Sequence, residues 1–436
     1  MTADLETLRA GYLRLRGALY DRATGLPAYP VLLEELRAWL ESRRRIGVIH
    51  VEATNLSAVE SFYGWQVSDG VLGAAARALA DHLPAVLGEG SVASVDGVGA
   101  DRFVVFVPSR PGGADVDGAW LRGASVDLRE RLEAAFDADE FLGLAPRPEF
   151  REGHAVLTED PFLRFERRVR AAIEEARGAA GRRESRREAA QGAELRRILE
   201  QEAVTAVFQP VVDLVTGAIL GHEALARGPS GTDLERPGAL FGAGRRAGVE
   251  ADLDRLCRRA ALRAAGGTLP GKLFVNVLPS GLDDPDWRRP SFAGLLAQAE
   301  RARGDLVVEV TERGADADPE ALAAGCLSLR AEGFGICLDD VGTGYASLAT
   351  LEAVRPDYVK ADTTIVRGID ASPIKQELVG SLVGIGERLG AQVIAEGVER
   401  EEEARTLRRL GARYAQGHLF AVPAPASALR TGGVRR

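Results

Sequence analysis

The stretch ICLDDVGTGYASL, residues 336–348, is a short apolar run that ends in two adjacent aspartates and continues into a glycine-rich turn. Seven other short apolar runs in the second half of the chain also end in an acid, an amide or a lysine. The eight runs are AVFQ ending at Gln209, LGHE at Glu223, LFVN at Asn276, LVVE at Glu309, ICLDD at Asp339 and Asp340, DYVK at Lys360, QVIAE at Glu396 and RYAQ at Gln416. A (β/α)8 barrel places its functional residues at the carboxyl ends of eight strands. The pattern therefore predicts such a barrel.

The length of this half and the gaps between its runs support the same fold. Residues 190–436 number 247, close to the ~250 residues of a typical barrel. Most gaps, such as 309–339, leave room for a crossover helix between parallel strands. The gap from Gln209 to Glu223 is 14 residues and includes a VTG turn, which is too short for such a crossover. We therefore expect a TIM-like barrel whose first strand is antiparallel.

The first half of the chain has a different pattern. Residues 3–20 have apolar residues at helical spacing, and from residue 21 to about residue 160 short apolar strands alternate with helical patterns. Residues 164–200 are rich in arginine and glutamate, which predicts a solvated helical connector with a break near Gly178 and Gly181. The fold class is accordingly α/β and α+β. The predicted segments are an N-terminal helix at 1–20, an α/β domain at 21–185 and the barrel at 186–436.

Composition excludes several classes of protein. Apolar residues make up 46% of the chain and charged residues 27%, which is ordinary for a globular protein and unlike a disordered chain. The net charge of −9 argues against nucleic acid as the main partner. No run approaches the ~18 apolar residues of a membrane span, and the N-terminus does not resemble a signal peptide. The three cysteines have no metal-like spacing. We expect a cytoplasmic protein without membrane insertion.

The residues at the strand ends would form one ring at the mouth of the barrel. Its five carboxylates cannot all be ionised and buried together unless cations neutralise them. Because the ring offers oxygen ligands and no His or Cys, it favours a hard ion such as Mg²⁺ or Mn²⁺. So many ligands suit two ions about 4 Å apart, which activate water in phosphoryl chemistry. A single acid at a strand end is more often a helix cap or a solvated residue, so the interpretation depends on the whole set: Glu223, Asn276, Glu309, Asp339, Asp340, Lys360 and Glu396.

The spacing of the strand-end residues predicts a metal-dependent barrel enzyme but does not indicate its substrate. Local sequence motifs are more specific. The motifs are EALAR (223–227), FVNV (274–277), EVTE (309–312), LDDVGTGYASL (338–348), YVKAD (358–362), VIAEGVE (393–399) and AQGHLF (415–420). Present in this order, they resemble the EAL-domain cyclic di-GMP phosphodiesterases over essentially the whole barrel. The resemblance implies a cyclic-guanylate-specific phosphodiesterase that hydrolyses cyclic di-GMP to linear pGpG.

The resemblance also implies roles for individual residues. One metal site would consist of Glu223, Asn276, Glu309 and Asp339, and a second of Asp339, Asp340 and Glu396, with Asp339 as the bridge. The residues that would hold the dinucleotide are Gln209, Arg227 and Gln416. Lys360 would position the hydrolytic water, and Glu312 would anchor the loop after the fifth strand. The residues expected to act in catalysis are Glu223, Asp340, Lys360 and Glu312. Val341 replaces the family's usual phenylalanine, which bears on regulation more than on chemistry.

The first half of the chain resembles a GGDEF domain, the fold of diguanylate cyclases, through DRATGLPAY (21–29), Tyr63-Gly64 and GADRF (99–103). The signature loop departs from that family. Arg102 stands where the family has an acid beside its metal, and Ala100 adds a Cβ where glycine lets the backbone approach phosphate. Glu52 stands at the position of the first metal-binding aspartate. We expect a degenerate domain that does not cyclise GTP and that docks or dimerises, with GTP sensing as the alternative.

The resemblance implies particular ligands and protein partners, and three alternative functions stay open. We expect cyclic di-GMP as substrate, two Mg²⁺ or Mn²⁺ ions as cofactors, a homodimer through the barrel and a regulatory protein as a further partner. The main alternative is a catalytically silent cyclic di-GMP receptor that signals through a protein partner. A residual diguanylate cyclase is a second alternative, which Arg102 opposes. A barrel hydrolase for another phosphodiester is the third.

Overall fold

A computed structural model describes residues 15–97, 99, 101–136, 148–311, 319–341 and 348–429, without the side chains of residues 58, 61–63, 268, 311, 340 and 348. The chain divides into two compact units, Met1–Glu188 and Ala189–Arg436. Most of the predicted N-terminal helix lies outside the described residues, and residues 15–19 are helical.

The first unit is an α/β arrangement around a four-stranded antiparallel sheet. Its elements are α1 (Leu33–Arg43), β1 (Arg45–Ala53), α2 (Leu56–Tyr63), α3 (Trp65–Leu87), β2 (Val92–Val95), β3 (Arg102–Val107), α4 (Gly118–Ala135) and β4 (Phe150–Thr158). The strand order in the sheet is β2-β3-β1-β4. Because side chains alternate along a strand, Ile49 and Val51 of β1 join the core formed with α3 and α4, whereas Ile46 and Val48 join the core on the opposite face.

A long helix, α5 (Phe165–Glu200), follows the sheet, and the division between the two units falls inside it. The helix passes through Gly178 and Gly181 without interruption, so the predicted break was wrong. A glycine inside a helix costs only about 1 kcal/mol relative to alanine. The surrounding alanine, arginine and glutamate residues are strong helix formers and offset that cost.

The second unit is a closed barrel of eight strands, as predicted. The strands are β5 (Thr205–Asp213), β6 (Ile219–Arg227), β7 (Lys272–Val277), β8 (Leu306–Thr311), β9 (Gly335–Val341), β10 (Tyr358–Ala361), β11 (Gln392–Ala395) and β12 (Tyr414–Ala415). They follow one another around the barrel in chain order, and β12 closes on β5. The first strand, β5, is antiparallel to both neighbours, while every other pair is parallel. The predicted antiparallel first strand is therefore confirmed.

Helices surround the barrel. They are α6 (Pro237–Ala247), α7 (Glu250–Ala265), α8 (Pro290–Gln298), α9 (Pro319–Ala331), α10 (Leu348–Val354), α11 (Thr363–Val366), α12 (Pro373–Leu389), α13 (Glu401–Arg409) and α14 (Ala426–Leu429). The described helices include none that is both long and apolar enough to cross a bilayer.

The interior of the barrel is filled by a layer of apolar side chains. This layer consists of Val211, Phe274, Val307, Cys337, Ile394 and Tyr414, with Tyr358 packed against it. Each of these residues lies two positions along its strand from a polar residue predicted for the site. Since side chains two apart share a face, the same strands that fill the interior also direct a polar layer toward its mouth.

Candidate active site at the mouth of the barrel

Each strand of the barrel supplies one polar residue to this layer, on the strand itself or just after it. The residues are Gln209 on β5, Glu223 on β6, Asn276 on β7, Glu309 on β8, Asp339 on β9, Lys360 on β10, Glu396 after β11 and Gln416 after β12. The carboxyl ends of the seven parallel strands meet at one edge. The antiparallel β5 reaches that edge with its first half, where Gln209 pairs with Glu223.

Lys360 lies at the centre of the carboxylates. Its Nζ is 2.5 Å from Oε1 of Glu309, 2.6 Å from Oε1 of Glu396 and 3.3 Å from Oε2 of Glu223. The Oδ1 atom of Asp339 is 3.6 Å away, and the lysine side chain is only 2% exposed. Among the described side chains, one buried ammonium thus faces four carboxylates.

The pKa values follow from this imbalance of charge. Burial and the neighbouring Glu223 carboxylate raise the pKa of Glu309 well above its ordinary value. Burial likewise raises the pKa of Glu396 well above its ordinary value, although Lys360 opposes the shift. Burial would lower the pKa of Lys360, but the surrounding carboxylates outweigh it and raise that pKa well above the ordinary value. With all four carboxylates ionised, the ring would carry more negative charge than its lysine can neutralise, and the raised carboxyl pKa values reflect this imbalance.

Amide side chains fix the orientation of Glu223. The Nδ2 group of Asn276 donates to Glu223 Oε1 at 2.9 Å, and the Nε2 group of Gln416 donates to Glu223 Oε2 at 2.6 Å. Gln416 Nε2 also donates to Gln209 Oε1 at 2.9 Å, and Gln209 Nε2 donates to the carbonyl of Ala421. Burial would raise the pKa of Glu223, but Lys360 and the two amides hold it below its ordinary value.

The ring fits a divalent cation. Glu223, Glu309 and Glu396 each offer an oxygen, and these three atoms lie within 4.8 Å of one another. The Oε2 atom of Glu309 is buried and has no hydrogen-bond partner among the described residues. A buried carboxylate oxygen without a partner is costly unless a cation meets it. Because the donors are oxygens, they suit a hard ion such as Mg²⁺ or Mn²⁺.

Three of the predicted residues are not part of the ring described above. Arg227 ends β6 at the rim, is half-buried, and its Nη1 donates to the carbonyl of Ala226 at 2.8 Å. Asp340 belongs to the backbone of β9, but its side chain lies outside the described residues, as does the whole of Glu312. The roles of these three residues stay predictions, as do those of the residues in the ring.

A cavity of about 320 Å³ opens beside the ring, between β6 and β7 on one side and α6 and α7 on the other. Its wall includes Glu223 and Asn276 of the ring together with Asp254 of α7. The sequence analysis missed Asp254 and its partner Arg258. An acid and an arginine four residues apart are usually a solvated pair on the surface of a helix, so the sequence carries no signal for their burial.

The first unit also contains a buried acid, Glu52, with a different environment. Its Oε1 is 3.2 Å from Nε of Arg102, and its Oε2 is 2.6 Å from Nη2 of Arg151. Burial would raise the pKa of Glu52, but the two guanidinium groups hold it below its ordinary value. Arg102 was singled out from the sequence, whereas Arg151 was not, because the pairing of β1 with β4 brings it there.

The match to a protein family covers this barrel. The EAL domain family matches residues 192–423, more than half of the chain. The chain belongs to the EAL domain family. Relatives of this EAL chain include MucR of Pseudomonas aeruginosa, named as a bifunctional diguanylate cyclase/cyclic di-GMP phosphodiesterase. MucR is 27% identical over 449 residues, and the alignment covers 97% of this chain and 62% of MucR. The chain thus spans less than two thirds of this relative.

Two further relatives bear on the EAL barrel. A probable cyclic di-GMP phosphodiesterase of Escherichia coli, PdeD, is 36% identical over 120 residues, which cover 28% of this chain and 22% of PdeD. The EAL domain of FimX from Xanthomonas citri, solved in complex with cyclic di-GMP, matches with a TM-score of 0.50 and 20% identity. That match covers 56% of this chain and 97% of the FimX domain, and at this identity it shows the fold alone.

Proposed function

We propose that the EAL barrel hydrolyses one phosphodiester bond of cyclic di-GMP and releases linear pGpG. The observation that carries the proposal is the ring of buried carboxylates around Lys360, inside a barrel of the EAL family. The ring has an excess of carboxylates over cationic side chains, and one Glu309 oxygen has no hydrogen-bond partner among the described residues; both features favour the binding of divalent cations. Relatives named as cyclic di-GMP phosphodiesterases support the choice of substrate.

We assign two Mg²⁺ or Mn²⁺ ions to the ring. The residues that would hold them are Glu223, Asn276, Glu309, Asp339, Asp340 and Glu396. When bound, such ions lower the pKa of water and stabilise the charge that develops on a phosphoryl group. The reaction adds water to phosphorus, the ribose 3′-oxygen leaves with a proton, and one molecule of pGpG results.

The chain's own residues orient the reactants. Lys360 is protonated, because its pKa is raised, and its buried ammonium is held in place by Glu309 and Glu396. We assign it to donate a hydrogen bond to the attacking water. Arg227 at the rim can hold a phosphate through its planar guanidinium. Gln209 and Gln416 offer amides to the dinucleotide at the same edge of the barrel where they support Glu223.

We propose that the first unit is a GGDEF-like domain that does not cyclise GTP and that docks or dimerises. The support is the state of Glu52, whose two carboxylate oxygens are each bound by an arginine. An acid that is paired in this way has no charge left for a cation. Incubating the Glu223→Ala variant of the full chain, whose barrel should not hydrolyse the product, with GTP and Mg²⁺ tests this assignment. Formation of cyclic di-GMP would contradict it.

We also propose that the protein is cytoplasmic, forms a homodimer through the barrel and acts with a regulatory protein partner. These proposals follow from the resemblance and from the composition of the chain. The mass of the full-length protein in solution, measured by light scattering, tests the dimer. A monomeric mass at micromolar concentration would contradict it.

The central experiment is chromatography of cyclic di-GMP after incubation with the full chain and Mg²⁺ or Mn²⁺. We expect pGpG with the wild type and none with Glu223→Ala or Asp339→Ala, provided that circular dichroism shows both variants to be folded. Retained turnover in Asp339→Ala would contradict the two-ion assignment. Binding of cyclic di-GMP without turnover by the wild type would instead favour a silent receptor.

A further inference from the structure

A buried ionic network lies behind the site, between α7 and the segment that follows β7. Its centre is Arg258, whose side chain is 1% exposed. Arg258 Nη1 donates to Asp254 Oδ2 and its Nη2 donates to Asp284 Oδ2, each at 2.6 Å. The guanidinium also stacks on the ring of Trp287, with its carbon 4.4 Å from the ring centre. Such a network is costly to desolvate and adds little net stability, which suggests a purpose other than stability.

The network reaches the site through a single backbone amide. Oδ1 of Asp254 accepts a hydrogen bond of 3.0 Å from the amide of Leu278. Leu278 is two residues after Asn276, whose Nδ2 donates to Glu223 in the ring. The Asp254 carboxylate is thus anchored by Arg258 on one oxygen and holds the end of β7 with the other.

The cavity beside β7 makes this hydrogen bond more important. Val275, Asn276, Val277 and Leu278 all line the cavity, and Asp254 lines its opposite wall. Packed neighbours normally restrain the end of a strand, but on this side a space of about 320 Å³ takes their place. The Asp254 carboxylate lines this space, and its hydrogen bond to Leu278 holds the backbone directly after the strand end.

We propose that Asp254 is a positioning residue, which sets the orientation of Asn276 in the cation site by holding the amide of Leu278. The inference rests on the proposed function, because it takes the ring to be a cation site. Hydrogen bonds that orient metal ligands from behind typically contribute 10–100-fold to metal affinity or activity. We therefore expect the loss of this carboxylate to weaken cation binding by about tenfold or more.

The test is calorimetric titration of the metal-free full chain with Mn²⁺, with thermal unfolding measured in parallel. We expect Asp254→Ala to raise the Mn²⁺ dissociation constant by about tenfold or more. We expect Asp254→Asn, which keeps an acceptor oxygen for Leu278 but turns an amide donor toward Arg258, to restore part of the loss. The matched control is Arg259→Met on the same helix, which breaks the partly buried pair with Asp286. Among the described residues, the Arg259 guanidinium donates to Asp286 and Ser291. Arg259→Met should lower the melting temperature and leave the Mn²⁺ affinity unchanged.

A second perturbation reaches the same hydrogen bond from another direction. A Cβ atom at Gly281 would lie 2.5 Å from Asp254 Oδ2 and 3.1 Å from Arg258 Nη1. Gly281→Ala should therefore displace Asp254 and weaken Mn²⁺ binding even if Asp254→Ala does not fold.

Unchanged Mn²⁺ affinity in a folded Asp254→Ala or Gly281→Ala variant would overturn the inference. An equal loss of affinity in Arg259→Met would overturn it as well, since the effect would then be general destabilisation. A wild-type chain that neither binds Mn²⁺ nor hydrolyses cyclic di-GMP would overturn the proposed function itself, and the positioning role with it.

Discussion

His222 and Glu223 are neighbours on β6, and the alternation of the strand directs them to opposite faces of the barrel wall. Glu223 enters the ring, whereas His222 is buried behind it and 2% exposed. The imidazole hydrogen-bonds to the backbone of Pro270, and its Nδ1 has no partner among the described residues. Burial lowers the pKa of His222 to about 4. The residue is therefore neutral in the folded protein at every pH near neutrality.

This burial predicts a pH dependence of stability. Between pH 6.5 and pH 4 the unfolded chain protonates His222 and the folded chain does not, so stability falls as the pH falls through this window. The shift corresponds to about 3 kcal/mol at its limit. We expect the urea midpoint of His222→Leu to change less with pH between pH 6.5 and pH 4 than the midpoint of the wild type does. If the urea midpoints of wild type and variant fell equally with pH in this range, the burial of a neutral His222 would be contradicted.

The sequence predicted the members of the ring but not their surroundings. Glu223, Glu309 and Lys360 could be found because each ends an apolar run, and a barrel gathers such ends at one edge. Asp254 and Arg151 could not be found in this way. Their positions depend on contacts with β7 and with Glu52, far apart in the chain, and neither residue interrupts an apolar run.

At the scale of elements, β4 and α5 approach each other closely in the first unit. A Cβ atom at Gly153 of β4 would lie 2.1 Å from the carbonyl oxygen of Ala176 and 2.4 Å from the amide nitrogen of Ala180. Both atoms belong to the backbone of the helix and cannot move aside alone. Glycine on the strand and alanine on the helix are what allow the two elements to pack at this distance.

This contact predicts opposite effects for two glycine substitutions. Gly153→Ala should push α5 away from the sheet and destabilise the first unit by about 3 kcal/mol, at the upper end of overpacking effects. Gly181→Ala lies within α5, where the new methyl group would meet no described atom within 4 Å apart from the adjoining backbone of its own helix. It should be neutral or stabilise by up to about 1 kcal/mol. Urea titrations of the full chain followed by circular dichroism measure both. Equal midpoints for the two variants would show that the close packing is absent in solution.

The same elements show why the barrel was easier to predict than the connector. The pattern of an apolar run that ends in a polar residue occurs eight times in the barrel, so the prediction does not depend on any one run. The short gap between Gln209 and Glu223 indicates the antiparallel direction of β5, which the structure has. In the connector, the glycines at 178 and 181 do not interrupt the helix. Intrinsic helix preference is a sum over the whole segment, and α5 contains enough strong helix formers to continue through two unfavourable residues.

At the scale of the whole molecule, the surroundings of Glu52 in the first unit and of the ring in the barrel have opposite balances of charge. In the first unit one acid, Glu52, faces two arginines. In the barrel several acids share Lys360. Glu52 is already neutralised by the chain, while the ring needs cations from solution.

This contrast predicts where divalent ions bind. In equilibrium dialysis with Mn²⁺, we expect Glu52→Ala to retain the number of ions bound by the wild type, and Glu309→Ala to lose at least one. Each variant removes one buried carboxylate, so each serves as the control for the other. Loss of an ion in Glu52→Ala would place a cation in the first unit and contradict its assignment as a non-cyclising domain.

The reversed direction of β5 has a mechanical consequence. Thr205, its first residue, pairs with Arg227 at the rim, so the polypeptide is threaded into the barrel from the rim and not from the opposite end. Four residues later the incoming strand supplies Gln209, which touches Gln416. The segment that precedes β5 therefore joins the barrel at the rim that carries the candidate active site. A pull on the residues before Thr205 would therefore first load the rim, where the start of β5 pairs with the end of β6.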